Sequence, residues 1–101
     1  MHEEYFHLRQ SNPDTIAVTG MLGFATAAAA MDALNTVLAR GPCQRLDLSG
    51  LHACDSAGLA CVLAVLADAA QQQRPVCVVN MPAAMRSLAQ VSGVDEMLEK
   101  H

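Results

Sequence analysis

The residues best placed to do chemistry form the segment Asp55-Ser56-Ala57-Gly58, which joins a strand-like run to a long apolar helix. Asp and Ser are both favoured at the start of a helix, where unpaired backbone N–H groups and the helix dipole favour polar and negative groups. A serine hydroxyl at this position can act as a nucleophile, accept a phosphoryl group or simply cap the helix. This segment is therefore the first candidate for a functional site.

A catalytic serine needs a general base and an oxyanion hole. Ser56 does not lie in the G-x-S-x-G pattern of a nucleophile elbow, and none of the four histidines stands in a motif that would pair with it. We therefore predict that the protein is not an enzyme and has no catalytic residue.

His52 and Cys54 precede the serine as His-x-Cys-Asp, which could suggest a metal site. A zinc site needs three or four ligands at a coherent spacing, and His2, His7 and His101 lie outside any such motif. We predict no metal ion and no other cofactor. Because Cys54 stands just before a helix start, its thiol could be somewhat activated.

Two runs of alternating polar and apolar residues, 5–9 and 15–19, predict a pair of strands. The turn-forming segment Ser11-Asn12-Pro13-Asp14 lies between them. The two strands should therefore pair as an antiparallel hairpin, with one face on the core and the other in water.

Apolar side chains at helical spacing predict an amphipathic helix over residues 24–40, which ends at Gly41-Pro42. A strand over 45–48, a helix over 56–72 and a continuous apolar strand over 76–79 follow. The predicted core stripe of the first helix consists of Phe24, Ala28, Met31, Leu34 and Leu38.

A third helix should begin with Pro82 in its first turn and end just before Gly93. Its apolar stripe contains Met85, Leu88 and Ala89, and Val94, Met97 and Leu98 could form a final packed turn. The order β-β-α-β-α-β-α predicts one α/β domain over residues 1–101. It has a mixed four-stranded sheet, three to four helices and right-handed crossovers.

Composition narrows the classes of function. The chain has 101 residues, a net charge of −4 and only six Lys plus Arg, which argues against a nucleic-acid partner. The longest apolar run, 59–67, is far shorter than the roughly 20 residues that span a bilayer. The four cysteines show no C-x-x-C spacing and the N-terminus is acidic, so we expect reduced thiols in the cytoplasm.

The helix after Ser56 carries apolar residues on more than one side before it reaches Asp68. We expect its core side to contain Leu59, Val62, Leu63, Leu66 and Ala70. Cys61, Ala64 and Val65 would then point away from the core and form a small apolar outer face. Either a partner protein or the neighbouring helices of the same domain would cover that face.

The apolar connection between the second strand and the first helix offers further contact candidates, namely Met21, Leu22 and Phe24. This connection and the Ser56 segment both follow the carboxyl ends of strands, so we expect them at the same end of the sheet. The alternative for Phe24 is ordinary core packing at the start of the helix.

The segments Leu46-Asp47-Leu48-Ser49 and Asp55-Ser56-Ala57-Gly58-Leu59 resemble those of the STAS domain family. This family contains bacterial anti-sigma-factor antagonists and transporter-associated modules, and its element order fits nearly the whole chain. The short length and the tail over residues 81–94 are most similar to MlaB-type members, which are cytoplasmic subunits of lipid-transporting ABC complexes.

This resemblance implies that Ser56 occupies the phosphorylatable or partner-contacting hydroxyl position of the family, with Asp55 and Gly58 as flanking motif residues. The implied partner is the ATPase subunit of an ABC transporter that maintains outer-membrane lipid asymmetry. The protein would then lie at the inner membrane through this partner, without inserting into the bilayer. The predicted partner-binding residues are Asp55, Ser56, Ala57, Gly58, Leu59, Cys61, Ala64, Val65, Met21, Leu22 and Phe24.

The resemblance also implies an alternative, an anti-sigma-factor antagonist whose partner kinase phosphorylates Ser56. A phosphate would add about −1.5 to −2 charges beside Asp55, and such charge is costly to bury against a partner. Phosphorylation should therefore weaken docking.

Overall fold

The computed structural model describes residues 6–40 and 45–94. These residues form one mixed sheet and three helices. The order β-β-α-β-α-β-α confirms the predicted fold class. Met97 and Leu98, predicted to form a final turn, lie outside the described residues. The elements are β1 (Phe6–Asn12), β2 (Thr15–Leu22), α1 (Ala27–Arg40), β3 (Arg45–Cys54), α2 (Ser56–Gln71), β4 (Cys77–Val79) and α3 (Ala83–Ser92).

The first two strands form the predicted antiparallel hairpin. In its turn, the Asp14 N–H donates to Asn12 Oδ1 at 3.2 Å, as Asn side chains commonly do in turns. The prediction of a water-facing side for the second strand is wrong, because residues 15–18 are all buried. The physical reason is that β2 lies between β1 and β3 and carries small side chains on its second face, such as Ala17.

The strands follow one another across the sheet in the order β1-β2-β3-β4, and β2, β3 and β4 are parallel. The connecting helices α1 and α2 pack against each other and contribute to the same apolar core. The register pairs Leu22 with Cys54, so the connections that leave β2 and β3 start side by side. We call this region the carboxyl end of the sheet.

The first helix begins later than predicted. The N–H groups of Thr26 and Ala27 both donate to the Gly23 carbonyl, at 3.0 and 2.8 Å, which makes a tight turn before the helix. The predicted stripe is therefore wrong at Phe24, which precedes the helix, and at Ala28, which is exposed. The fully buried residues of α1 are Ala30, Leu34 and Leu38.

The second helix is buried over a wider arc than predicted, because it contacts α1, α3 and the sheet. Cys61 and Val65 lie in the core, so the predicted outward orientation of these two residues is wrong. Ala70 is exposed instead, and Leu63 and Ala64 are half-buried. The buried residues follow two adjacent helical rows, Gly58, Cys61, Val65 and Ala69, and Leu59, Val62 and Leu66.

The third helix ends where predicted, but it begins at Ala83, so the prediction that Pro82 lies in its first turn is wrong by one residue. Pro82 is the N-cap, Gly93 adopts the left-handed conformation just after the last turn, and Met85 and Ala89 are buried. In the described part of the chain, no helix is long and apolar enough to cross a membrane.

Candidate functional site

Ser56 is the first residue of α2, and its side chain is exposed. The N-cap is Asp55, which has an extended backbone and whose Oδ1 accepts the Gly58 N–H at 3.1 Å. The interpretation of Ser56 as a simple cap is therefore wrong, because Asp55 fills that role. The Ser56 hydroxyl is left open to solvent at the carboxyl end of the sheet.

The carboxylate of Asp55 also reaches the connection between β2 and α1. Its Oδ2 accepts the Phe24 N–H at 3.0 Å, and the Asp55 N–H donates to the Leu22 carbonyl at 3.3 Å. The structure thus brings together the two loops that were expected at the same end of the sheet.

The β2–α1 connection is held by a buried side chain that sequence reasoning missed. Thr26 Oγ1 accepts the Gly23 N–H at 3.0 Å and donates to the Met21 carbonyl at 3.1 Å. Thr26 is 5% exposed. A threonine just before the alanine-rich run is itself a common signal of a helix start, and it could have placed this boundary.

Phe24 is 88% exposed on this loop, so the core-packing alternative is wrong. The exposed and half-buried residues of the predicted site lie around it, and we call Phe24, Asp55, Ser56 and Ala57 the Ser56 surface. Met21 is half-buried beside it.

Five of the predicted contact residues are buried inside the domain. They are Leu22, Gly58, Leu59, Cys61 and Val65. The rest of the domain covers these residues, so they pack beneath the site rather than forming its surface. Gly58 shows this most clearly, because a Cβ there would overlap the Leu22 carbonyl oxygen.

The electrostatics of the site are dominated by Asp55. The N–H groups of Phe24 and Gly58 hold the pKa of its carboxyl below the usual range, so it is ionised at neutral pH. Burial and the Asp55 charge raise the pKa of the Cys54 thiol, and the predicted activation of Cys54 is therefore wrong.

A depression at this end of the sheet is much smaller than a typical small-molecule pocket. A depression between β3 and the start of α3 holds about 40 Å³, whereas small-molecule pockets usually hold about 300–1,000 Å³. Among residues 6–40 and 45–94, no three His, Cys, Asp or Glu side chains are grouped so that they could hold a metal ion.

Comparison with known structures gives the same fold. The unphosphorylated form of SpoIIAA, an anti-sigma-factor antagonist, superposes with a TM-score of 0.68 at 19% identity, over 90% of this chain and 83% of that one. The phosphorylated form of the Bacillus cell-fate determinant SpoIIAA gives 0.64 at 20% identity, over 90% and 86%. An anti-sigma-factor antagonist from Mycobacterium paratuberculosis gives 0.71 at 23% identity, over 92% and 80%.

Sequence comparison adds the family. No curated protein shows significant similarity to the chain. A family model described as "Mlab, STAS domain" matches residues 7–99, which is nearly the whole sequence. With the fold and the Asp55-Ser56-Ala57-Gly58 turn in their expected places, the chain belongs to the STAS domain family.

Proposed function

We propose that this STAS domain is a non-enzymatic interaction module that docks on the ATPase subunit of a phospholipid-transporting ABC complex through the Ser56 surface. The observation that carries the proposal is that Phe24, with its exposed ring, is hydrogen-bonded through its N–H to Asp55, the residue directly before the exposed Ser56. The match to the MlaB-type family model supports the choice of partner.

In the proposed mechanism, the domain acts by direct contact with the ATPase. Aromatic side chains are over-represented among the residues that dominate binding energy, and Phe24 can bury its whole ring on docking. The Ser56 hydroxyl can both donate and accept a hydrogen bond with the partner. The domain would support the ATPase at the cytoplasmic face of the inner membrane, without inserting into the bilayer.

A second candidate is an anti-sigma-factor antagonist. It is favoured by the exposure of Ser56 and by the fold shared with antagonists, one of which has been solved in unphosphorylated and phosphorylated forms. A phosphate on Ser56 would lie next to the ionised Asp55 and would be costly to bury.

Affinity purification from gently solubilised native membranes, followed by mass spectrometry, tests the proposal. We expect the wild type to retain an ABC ATPase, Ser56→Glu to lose it, and Ser87→Glu, a control at an exposed position on α3, to retain it. Absence of any ABC ATPase with the wild type would contradict the proposal. Stoichiometric phosphate on Ser56 after incubation with ATP and native lysate, read from the intact mass, would favour the antagonist.

A further inference from the structure

We infer that Asp55 is a positioning residue for docking, which holds the backbone that carries the Phe24 ring against the start of the helix that carries the Ser56 hydroxyl. The identity of the partner, an ABC ATPase, rests on the function proposed above. The positioning role of Asp55 is inferred from hydrogen bonds within this chain alone.

The two carboxylate oxygens of Asp55 accept hydrogen bonds from different elements. Oδ1 accepts the Gly58 N–H within α2, and Oδ2 accepts the Phe24 N–H, 31 residues away in sequence. One oxygen would suffice for a helix cap. The second oxygen connects the loop that carries the aromatic ring to the helix that carries the hydroxyl.

The neighbouring backbone leaves room for this carboxylate. A Cβ at position 23 would lie 2.8 Å from Asp55 Oδ2, so a glycine leaves the space that the carboxylate occupies. On its other side, the loop is fixed by the buried Thr26 hydroxyl. The backbone on both sides of Phe24 is therefore ordered while its ring is exposed.

The ordered backbone and the exposed ring determine which kind of partner surface fits the Ser56 surface. Docking costs less entropy when the contact residues are already fixed, and an exposed aromatic ring gains most from an apolar pocket. The charge of Asp55 is engaged by two N–H groups rather than directed at the partner. The complement on the ATPase is thus an apolar pocket with a hydrogen-bonding group beside it for Ser56.

Asp55→Asn distinguishes the two roles of the Asp55 side chain, which are to cap α2 and to accept the Phe24 N–H. The Asn amide has one acceptor oxygen where the carboxylate has two. Because Asn is a good N-cap, we expect that oxygen to keep the Gly58 N–H and the Phe24 N–H to lose its partner. We expect hydrogen exchange at the Phe24 amide, followed by NMR on the isolated protein, to become about tenfold faster. Asp32→Asn, on the exposed side of α1, should leave it unchanged. Wild-type protection of Phe24 in both Asp55→Asn and Asp55→Ser would overturn the inference.

A double-mutant cycle with the purified ATPase then tests docking. We expect Phe24→Ala to weaken binding about 30-fold and Asp55→Asn about fivefold. The double variant should bind about as weakly as Phe24→Ala, because Asp55 acts through Phe24. Effects that simply multiply would overturn the positioning role. If the wild type does not bind the ATPase, the proposed function fails, and the exchange measurement still decides whether Asp55 positions Phe24.

Discussion

At each end of the parallel strands, a charged side chain is hydrogen-bonded to the backbone of another element, but the surfaces around the two side chains differ. At the carboxyl end, the Asp55 carboxylate accepts backbone N–H groups from two elements, and an aromatic ring and a hydroxyl stay exposed. At the opposite, amino end, the Arg74 guanidinium donates to the Leu38 carbonyl in the last turn of α1 at 3.1 Å. Negative charge suits a helix start and positive charge a helix end. At the carboxyl end, this connection lies beside an exposed aromatic ring, that of Phe24.

The amino end also contains a surface ion pair, between Arg45 and Asp14, with 3.3 Å between the guanidinium nitrogen and the carboxylate oxygen. Both side chains are more than a third exposed, so solvent screens the interaction. The same two residues are also joined through the backbone, because the Arg45 N–H donates to the Asp14 carbonyl at 3.1 Å. The two ends should therefore respond differently to substitution.

The largest effect is expected for Gly58→Ala at the carboxyl end. The added methyl would overlap the Leu22 carbonyl, so α2 must shift, and we expect a loss of about 3 kcal/mol in the free energy of unfolding. Gly93→Ala is the control: it meets open space but has a left-handed backbone, so it should cost about 1 kcal/mol. Urea denaturation measures both, and equal losses would contradict the close contact at Gly58.

Arg74→Ala breaks the connection at the amino end. The Leu38 carbonyl loses its charged donor, and we expect a loss of about 1 kcal/mol with no change in ATPase binding. Arg86→Ala, at an exposed position on α3, should change stability by less than about 0.5 kcal/mol. Weaker ATPase binding in a folded Arg74→Ala protein would mean that the two ends are coupled.

Acid should selectively weaken the carboxyl end, with an effect smaller than that of Arg74→Ala. Because the folded-state pKa of Asp55 is lowered, its contribution is complete above the unfolded value of about 3.9 and is lost as the pH falls through the folded value. The stability difference between wild type and Asp55→Asn should therefore shrink between pH 7 and pH 3 in urea denaturation. A difference that is constant with pH would contradict the stabilised carboxylate.

Asp14→Asn should have the smallest effect, below about 0.5 kcal/mol, because an exposed ion pair contributes little. Its stability should also differ little from that of the wild type in 1 M NaCl, where the pair is screened. A loss above 1 kcal/mol would show that the amino end depends on this pair.

Local signals predicted most of the fold. The Asn12-Pro13-Asp14 turn and the Pro82 and Gly93 signals of the third helix act through backbone conformation, which the residue type restricts directly. The alternation of strands and helices then fixed the parallel pairing.

The end of the sheet at which Ser56 and the β2–α1 connection lie could be predicted from the sequence. The directions in which several nearby side chains point could not. Residues 59–67 are all apolar, so no polar side chain marks the outer face of α2, and periodicity alone could not place Cys61 and Val65. Their burial follows from contacts with α1, α3 and the sheet, which are distant in sequence. The exposure of Phe24 likewise depends on the Gly23–Thr26 turn and on Asp55, 31 residues away.

The burial of Cys61 has a practical consequence. Its side chain is 4% exposed and burial raises the pKa of its thiol, so a water-soluble alkylating reagent reaches it only when α2 separates from the core. Cys54 and Cys77, both half-buried free thiols, should be modified earlier. The time course of alkylation at Cys61 would therefore measure how often the domain opens. The measurement needs no other label and can be made at any pH where the reagent reacts.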